Sequence, residues 1–235
     1  DTGTYVRPDQ VEHKSYRPQT RPESDLIDRA VDMIAAAKRP VFFVGGGVIN
    51  AGPHASELLT RFVRMTGYPC TQTLMGLGAF PASDPLSLGM LGMHGMYEAN
   101  MAMHSCDLLI NVGARFDDRV TGRLDAFAPG SKKIHVDIDP SSINKNVPVD
   151  LAVVGDAGAV LEAMIGRWKE KQAKPDSKAL QVWWDQIEEW RGRQCLRYTP
   201  SDTLIKPQYA LERLYALTRE REDVFISTEV GQHQM

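Results

Sequence analysis

Residues 113 to 122 read Gly113-Ala114-Arg115-Phe116-Asp117-Asp118-Arg119-Val120-Thr121-Gly122, so two arginines and two aspartates stand between bracketing glycines. Guanidiniums four positions apart can grip phosphate or carboxylate oxygens bidentately, while the adjacent carboxylates hold them in place or meet ligand hydroxyls. The apolar run Asp107 to Val112 immediately before the segment reads as a strand. In an open α/β sheet the carboxyl ends of the strands are where charged ligands collect, because glycines allow close backbone approach and free N–H groups favour anions. Arginines and aspartates of a surface loop also form weak, solvated ion pairs, so the other motifs must decide between the two readings.

A glycine-rich turn, Val44-Gly45-Gly46-Gly47, follows an earlier apolar run. A dinucleotide fingerprint needs G-x-G-x-x-G, but its last position here is Asn50, and the next strand ends at Thr73 without the acid that would hold an NAD ribose. NAD is disfavoured, and the turn alone could be a simple tight connection. Thr73-Leu74-Met75-Gly76-Leu77-Gly78 and Met90-Leu91-Gly92-Met93-His94-Gly95 are apolar yet broken by glycine. That pattern suits a flat aromatic ring lying against exposed backbone, although Met and Leu at such spacing also fill cores and His94 could be structural. Asp137 closes a strand and Asp139 precedes Pro140, which places carboxylates where ribose hydroxyls could be accepted. Gly155-Asp156-Ala157 repeats this at the next strand end, where Asp156 is equally suited to cap a helix.

These stretches, together with the terminal Thr228-Glu-Val-Gly-Gln-His-Gln-Met235, match in order and spacing the catalytic subunit of the acetohydroxyacid (acetolactate) synthase family. The resemblance runs from about Arg17 to Met235 and is to the central, FAD-binding domain of a thiamine-diphosphate enzyme. It implies that Thr73, Leu74, Leu91, Met93 and His94 touch the flavin, and that Gly45, Gly46, Gly47, Gly113, Ala114, Arg115, Asp117, Arg119 and Val120 also bind the cofactor. Asp137, Ile138, Ser142, Gly155, Asp156 and Ala157 would hold the adenosine half. Arg17 resembles the family's arginine that reaches the cofactor, and Gln234 and Met235 would lie near coenzyme and flavin. As catalytic residues, Arg119 would bind the carboxylate of the acceptor acid and Asp118 would orient Arg119.

In the parent enzyme, as the resemblance implies, pyruvate is decarboxylated on thiamine diphosphate and joined to a second 2-oxo acid, pyruvate or 2-oxobutyrate, for branched-chain amino-acid synthesis. FAD takes no net electrons there. The chain has no Gly-Asp-Gly with a downstream Asn to hold diphosphate and Mg²⁺, so those two cofactors are expected only in a full-length parent and the present chain is expected to be inactive alone. A homo-oligomer and a regulatory small subunit are expected partners of that parent. Two rivals remain: the middle domain of another thiamine-diphosphate carboligase or decarboxylase, and a stand-alone nucleotide-binding module.

The elements that must position these residues follow from periodicity. Ser24 is placed as the N-cap of a helix with the stripe Ile27, Val31, Ile34 and Ala35, and apolar runs at 41–44, 69–73, 107–112, 133–137 and 151–154 alternate with helices carrying Leu58 to Val63, residues 97–104 and 157–170. This alternation predicts an α/β, doubly wound, mostly parallel sheet of about six strands, covered on both faces. Residues 1–23, proline-rich and without apolar period, are expected as linker; 24–170 as the FAD-binding domain; and 171–222 as a helical linker whose stripe Leu180, Trp183, Ile187 and Trp190 docks against the main domain or against a neighbouring domain of the full protein. Val224 to Ser227 resembles the opening strand of a truncated thiamine-diphosphate domain at 223–235, with no sheet to join here.

At 235 residues with 43% hydrophobic content the chain can bury a core, and its net charge of −3 leaves no basic footprint for nucleic acid or membrane. No window approaches the ~18 apolar residues of a transmembrane helix, and no signal-peptide core is present. The three cysteines, Cys70, Cys106 and Cys195, lack metal or disulfide spacing and are expected as reduced thiols of a cytoplasmic protein. The six histidines are scattered without ligand pairing, so no metal site is expected.

Overall fold

The computed structural model describes residues 18–228 and Gly231. Six strands, β1 (Pro40–Val44), β2 (Cys70–Gln72), β3 (Ser87–Met90), β4 (Leu108–Val112), β5 (Lys132–Asp137) and β6 (Leu151–Val154), form one sheet in the order β3-β2-β1-β4-β5-β6. All five pairings are parallel. The order reverses direction between β1 and β4, which defines a topological switch point there. The predicted doubly wound α/β fold is therefore the observed one, and the sheet is wholly parallel.

Alternation along each strand supplies the two cores. Phe42, Val44, Ile110, Val112, Ile134 and Val136 face one layer of helices, α1 (Ser24–Ala36), α3 (Pro53–Thr66) and α6 (Ala157–Glu170). Val41, Phe43 and Leu109 face the other layer, built from α4 (Tyr97–Ser105) and α7 (Ser177–Arg191). The central strands are buried on both faces, which is why they read as near-continuous apolar runs, broken only by Asn111 in β4, rather than as alternating ones. The tryptophan stripe docks as expected: Trp183 and Ile187 are fully enclosed on α7, and Trp183 Nε1 donates to the Pro40 carbonyl across 3.1 Å. Helix α8 (Pro207–Thr218) buries no side chain among the described residues.

Four elements differ from the sequence expectation. The first helix already includes Ser24, so Glu23 is the N-cap and no side chain caps it. The helix after the glycine turn is split into α2 (Gly46–Asn50) and α3, because Gly52 adopts φ +96° and Pro53 starts a new helix. The strand β3 was not foreseen: Gly89 at φ +73° interrupts its apolar pattern and its register against β2 shifts. Val224 to Ser227 form no strand, and Phe225 is almost completely exposed.

Layer α1/α6 is also tied electrostatically. The Arg167 guanidinium forks onto the Asp28 carboxylate, and Lys171 Nζ lies 3.3 Å from the same group. Hydrogen bonding from Arg167, then from Lys171, holds the Asp28 carboxyl below its ordinary range. A depressed carboxylate pKa contributes stability above the unfolded value near 3.9 and loses it as pH falls through the folded value. Asp28→Asn is accordingly expected to lower stability at neutral pH, by an amount that shrinks as pH falls through the folded value. Urea midpoints between pH 2 and 7 test this, and an equal loss at both ends would exclude the linkage.

Candidate functional site

Because every strand is parallel, all six carboxyl ends lie on one edge, and the turns singled out by the sequence are brought there together. At the switch point the turns after β1 and β4 touch backbone to backbone. Gly45 N donates to Val112 O at 2.9 Å and Gly47 N to Gly113 O at 3.0 Å. A Cβ on Gly45 would stand 2.2 Å from Gly113 O, and one on Gly47 would stand 2.7 Å from the Gly113 Cα. The glycine turn is thus explained by close approach of a second turn. Its two amides face that neighbour, so the first turn is not arranged as the pyrophosphate cradle of an NAD site. Gly113, at φ +68°, donates to Val136 O, and Asn111 clamps Ala114 through its side-chain amide at 2.6 and 3.0 Å. A buried asparagine in an apolar strand is a signal that sequence reading missed, and it fixes the turn carrying the arginines.

Beyond that clamp, Asp117 caps the short helix α5 (Asp118–Thr121), its carboxylate accepting from Arg119 N at 3.1 Å and pairing with the Arg115 guanidinium. The Arg119 amide first, and Arg115 to a lesser degree, hold the Asp117 carboxyl below its usual value. Arg115 and Arg119 project with about three quarters of their side chains exposed. Arg119 Nη1 lies 4.0 Å from Asp118 Oδ2, beyond hydrogen-bond range, so Asp117 rather than Asp118 organises this turn. Thr121 Oγ1 is buried without a partner among the described residues.

The loop 91–95 is stitched to the same turn. Met93 N donates to Arg119 O at 2.9 Å, and Gly92, at φ +97°, lets the two backbones meet where a Cβ would lie 2.7 Å from that carbonyl. Asn100 holds Gly92 from the other side at 2.8 and 3.0 Å. Leu91 is buried, whereas Met93 and Met75 are exposed to 66% and 75%. Leu74 is exposed beside Met75 on a single helical turn that Thr73 caps through Gly76 N. At the end of β2, where an NAD site needs an acid, Gln72 is buried and accepts from Phe80 N.

Carboxylates occupy the far end of the edge. Asp137 Oδ1 accepts from Asp139 N at 2.9 Å, and Asp139 turns the chain into Pro140–Ser142 by accepting from Ser141 N and Oγ. Those bonds, the Ser141 amide first, hold the Asp139 carboxyl low. Ile138 and Ser142 flank this turn. Asp156 caps α6 through Ala159 N at 3.1 Å, while its own N–H is taken by Thr20 O. The stretch Thr20–Pro22 therefore runs along Gly155 and Asp156, before Ala157 opens the helix. Arg17, Gln234 and Met235 lie outside the described residues.

Cys70 and Cys106 are buried in the two cores; desolvation pushes the Cys106 thiol up to about 12 and Cys70 far above the ordinary thiol range. Neither is a nucleophile at neutral pH. Cys195 is free and exposed. No cluster of three or more His, Cys, Asp or Glu suited to a metal occurs among the described residues, and no helix there is long and apolar enough to cross a membrane.

A wholly parallel six-stranded sheet with helices on both faces, whose edge carries apolar, cationic and acidic turns, defines a doubly wound α/β domain. Residues 27–164 match the family model for the thiamine pyrophosphate enzyme, central domain, and the chain belongs to that family. It is 47% identical over 231 residues to the acetolactate synthase isozyme 3 large subunit of Escherichia coli, covering 98% of this chain and 40% of that protein. It is 44% identical over 231 residues to the acetolactate synthase large subunit of Haemophilus influenzae, covering 98% and 39%, and 43% identical over 233 residues to an acetolactate synthase of Mycobacterium bovis, covering 99% and 37%. The chain thus spans about two fifths of the length of these relatives.

Proposed function

We propose that this chain is the FAD-holding middle part of an acetolactate synthase catalytic subunit, working in the cytoplasm. The observation that carries the reading is the order of chemistry along one sheet edge. Exposed Leu74, Met75 and Met93 stand at the β2/β3 end, the Arg115 and Arg119 guanidiniums at the switch point, and Asp137 and Asp139 at the β5/β6 end. Five strand gaps at roughly 4.8 Å make an edge of about 24 Å, which suits an extended dinucleotide. The apolar end offers thioethers to a flavin ring, the guanidiniums match a pyrophosphate, and the carboxylates accept from ribose hydroxyls. The likeness in name and sequence to the large subunits supports the same reading, and with it 2-oxo acids as substrates, thiamine diphosphate and Mg²⁺ held with other regions of a parent, self-association, and a regulatory small subunit.

In that parent, thiamine diphosphate would supply the carbon-activating chemistry. This chain's own contribution is to hold FAD and to present Arg119, whose fork matches the carboxylate of an acceptor 2-oxo acid and would disfavour plain aldehydes. The competing NAD reading is opposed by Gln72 at the end of β2 and by the closed Gly45–Gly113 contact.

Thermal melts with FAD and with NAD separate the two. At a hundredfold excess over Kd a ligand stabilises the folded chain by about 2.7 kcal/mol, which in a domain of this size raises Tm by roughly 5 to 10 °C. A shift with FAD and little with NAD is expected. Equal shifts, or none with FAD, would reject the assignment.

A further inference from the structure

His135 is completely enclosed on β5, and neither of its ring nitrogens has a hydrogen-bond partner among the described residues. An imidazole left so is costly, because the lost hydration of its polar nitrogens is not replaced. Its surroundings are specific. It lies in one row with Phe43 of β1 and Asn111 of β4, and the edge of one ring meets the face of the other where Phe116 packs at 5.1 Å between centroids. The Asn111 amide is already committed to Ala114 at both ends. The polar group that Nε2 does approach is Asp137 Oδ2, at 3.6 Å. That separation is just too long for a hydrogen bond and short enough for a small side-chain rotation to close.

We propose that His135 is a positioning residue for Asp137: its Nε2–H closes onto Asp137 Oδ2 while Asp139 N holds Oδ1, and the carboxylate so fixed presents its remaining lone pairs to a ribose diol. The inference rests on the nucleotide reading above for the identity of the ligand, and on the burial and geometry of His135 for the mechanism. Two observations agree with it. Asp137 is itself mostly buried, so its carboxylate has few alternative orientations. The Phe116 ring packs against the imidazole, Asn111 and Ala152 flank it on the neighbouring strands, and Asp137, toward the strand's carboxyl end, is the carboxylate within 4 Å of it among the described residues.

Two measurements on the 235-residue chain test this. In the ligand-free chain, ¹⁵N shifts of the His135 ring, assigned with His135→Gln, are expected to show the Nε2–H tautomer and to move in Asp137→Ala. In FAD titrations, His135→Phe should weaken binding about tenfold, the loss of one hydrogen bond to a charged group. His135→Gln, which keeps a donor, should stay within about threefold of the original chain. The double variant His135→Phe with Asp137→Ala should bind no more weakly than Asp137→Ala alone, because His135 acts through that carboxylate. Independent losses that add, or an Nδ1–H tautomer indifferent to Asp137→Ala, would overturn the proposal. If the unaltered chain binds no FAD, the nucleotide reading fails, while the tautomer measurement still decides whether His135 and Asp137 are linked.

Discussion

Gly45→Ala should cost the chain roughly 4 kcal/mol or prevent folding, a larger loss than its single methyl group would suggest. The backbone at Gly45 is ordinary for any residue, φ −111° and ψ −179°, so no conformational strain is involved. What the methyl meets is backbone: Gly113 O at 2.2 Å, Ala114 Cα at 2.5 Å and Gly113 C at 2.6 Å. None of these belongs to a side chain that can swing aside. The opposing turn is held by Val136 and by both ends of the Asn111 amide. Relief therefore requires the ends of β1 and β4 to part, which sacrifices the Gly45–Val112 and Gly47–Gly113 bonds at about 1 kcal/mol each, in addition to about 1 to 3 kcal/mol for overpacking. Two glycines in open space serve as controls. Gly130→Ala should be nearly neutral, and Gly166→Ala, inside α6, should stabilise by up to about 1 kcal/mol. Urea unfolding of the three variants measures the differences. A loss below about 1 kcal/mol at Gly45 would mean that the switch point is not rigid, and a site held by two touching turns would lose its basis.

How far the sequence could be read follows from the same contacts. Strand β1 was legible as an unbroken apolar run buried on both faces, β4 and β5 as apolar runs despite Asn111 and His135, β6 as four consecutive apolar residues, and helix α6 as a stripe opened by Asp156. Residues 113–122 were legible as a charged turn behind a strand. What escaped depends on distance in the chain. That Gly45 is needed for Gly113, or that Gly92 is needed for the Arg119 carbonyl, involves partners 68 and 27 positions away, and no local pattern encodes them. The strand β3 was hidden because Gly89 and a register shift break its period. His135 and Asn111 read as polar interruptions in apolar strands; their burial, which gives them meaning, appears only once the row Phe43–Asn111–His135 is assembled. The ranking of Asp117 over Asp118 likewise needed the turn itself, since adjacent aspartates are equivalent until one of them caps a helix.

Supplied with thiamine diphosphate, Mg²⁺ and FAD, the 235-residue chain by itself should form no detectable acetolactate from pyruvate. The chain carries neither a Gly-Asp-Gly with a downstream Asn nor, among its described residues, a cluster of three or more acids, histidines or cysteines able to bind a divalent ion. The groups its edge does assemble are acceptors and guanidiniums: Asp137 and Asp139 are engaged with backbone amides, and Arg115 and Arg119 can orient anions. Such an array suits the flavin and acceptor carboxylate proposed for it, but it offers no set of groups to hold a diphosphate-bound coenzyme against its substrate. Positioning of reactants accounts for roughly 7 to 11 kcal/mol of barrier lowering in well-oriented systems, and losing it reduces a rate by about five to eight orders of magnitude. The assay is acetolactate formation by the purified chain, with a full-length relative as positive control and FAD retention measured on the same sample. Flavin bound without turnover is the expected pair of results. Turnover within about tenfold of the control would place the reactive centre inside these residues, and the division of labour proposed for the sheet edge would have to be withdrawn.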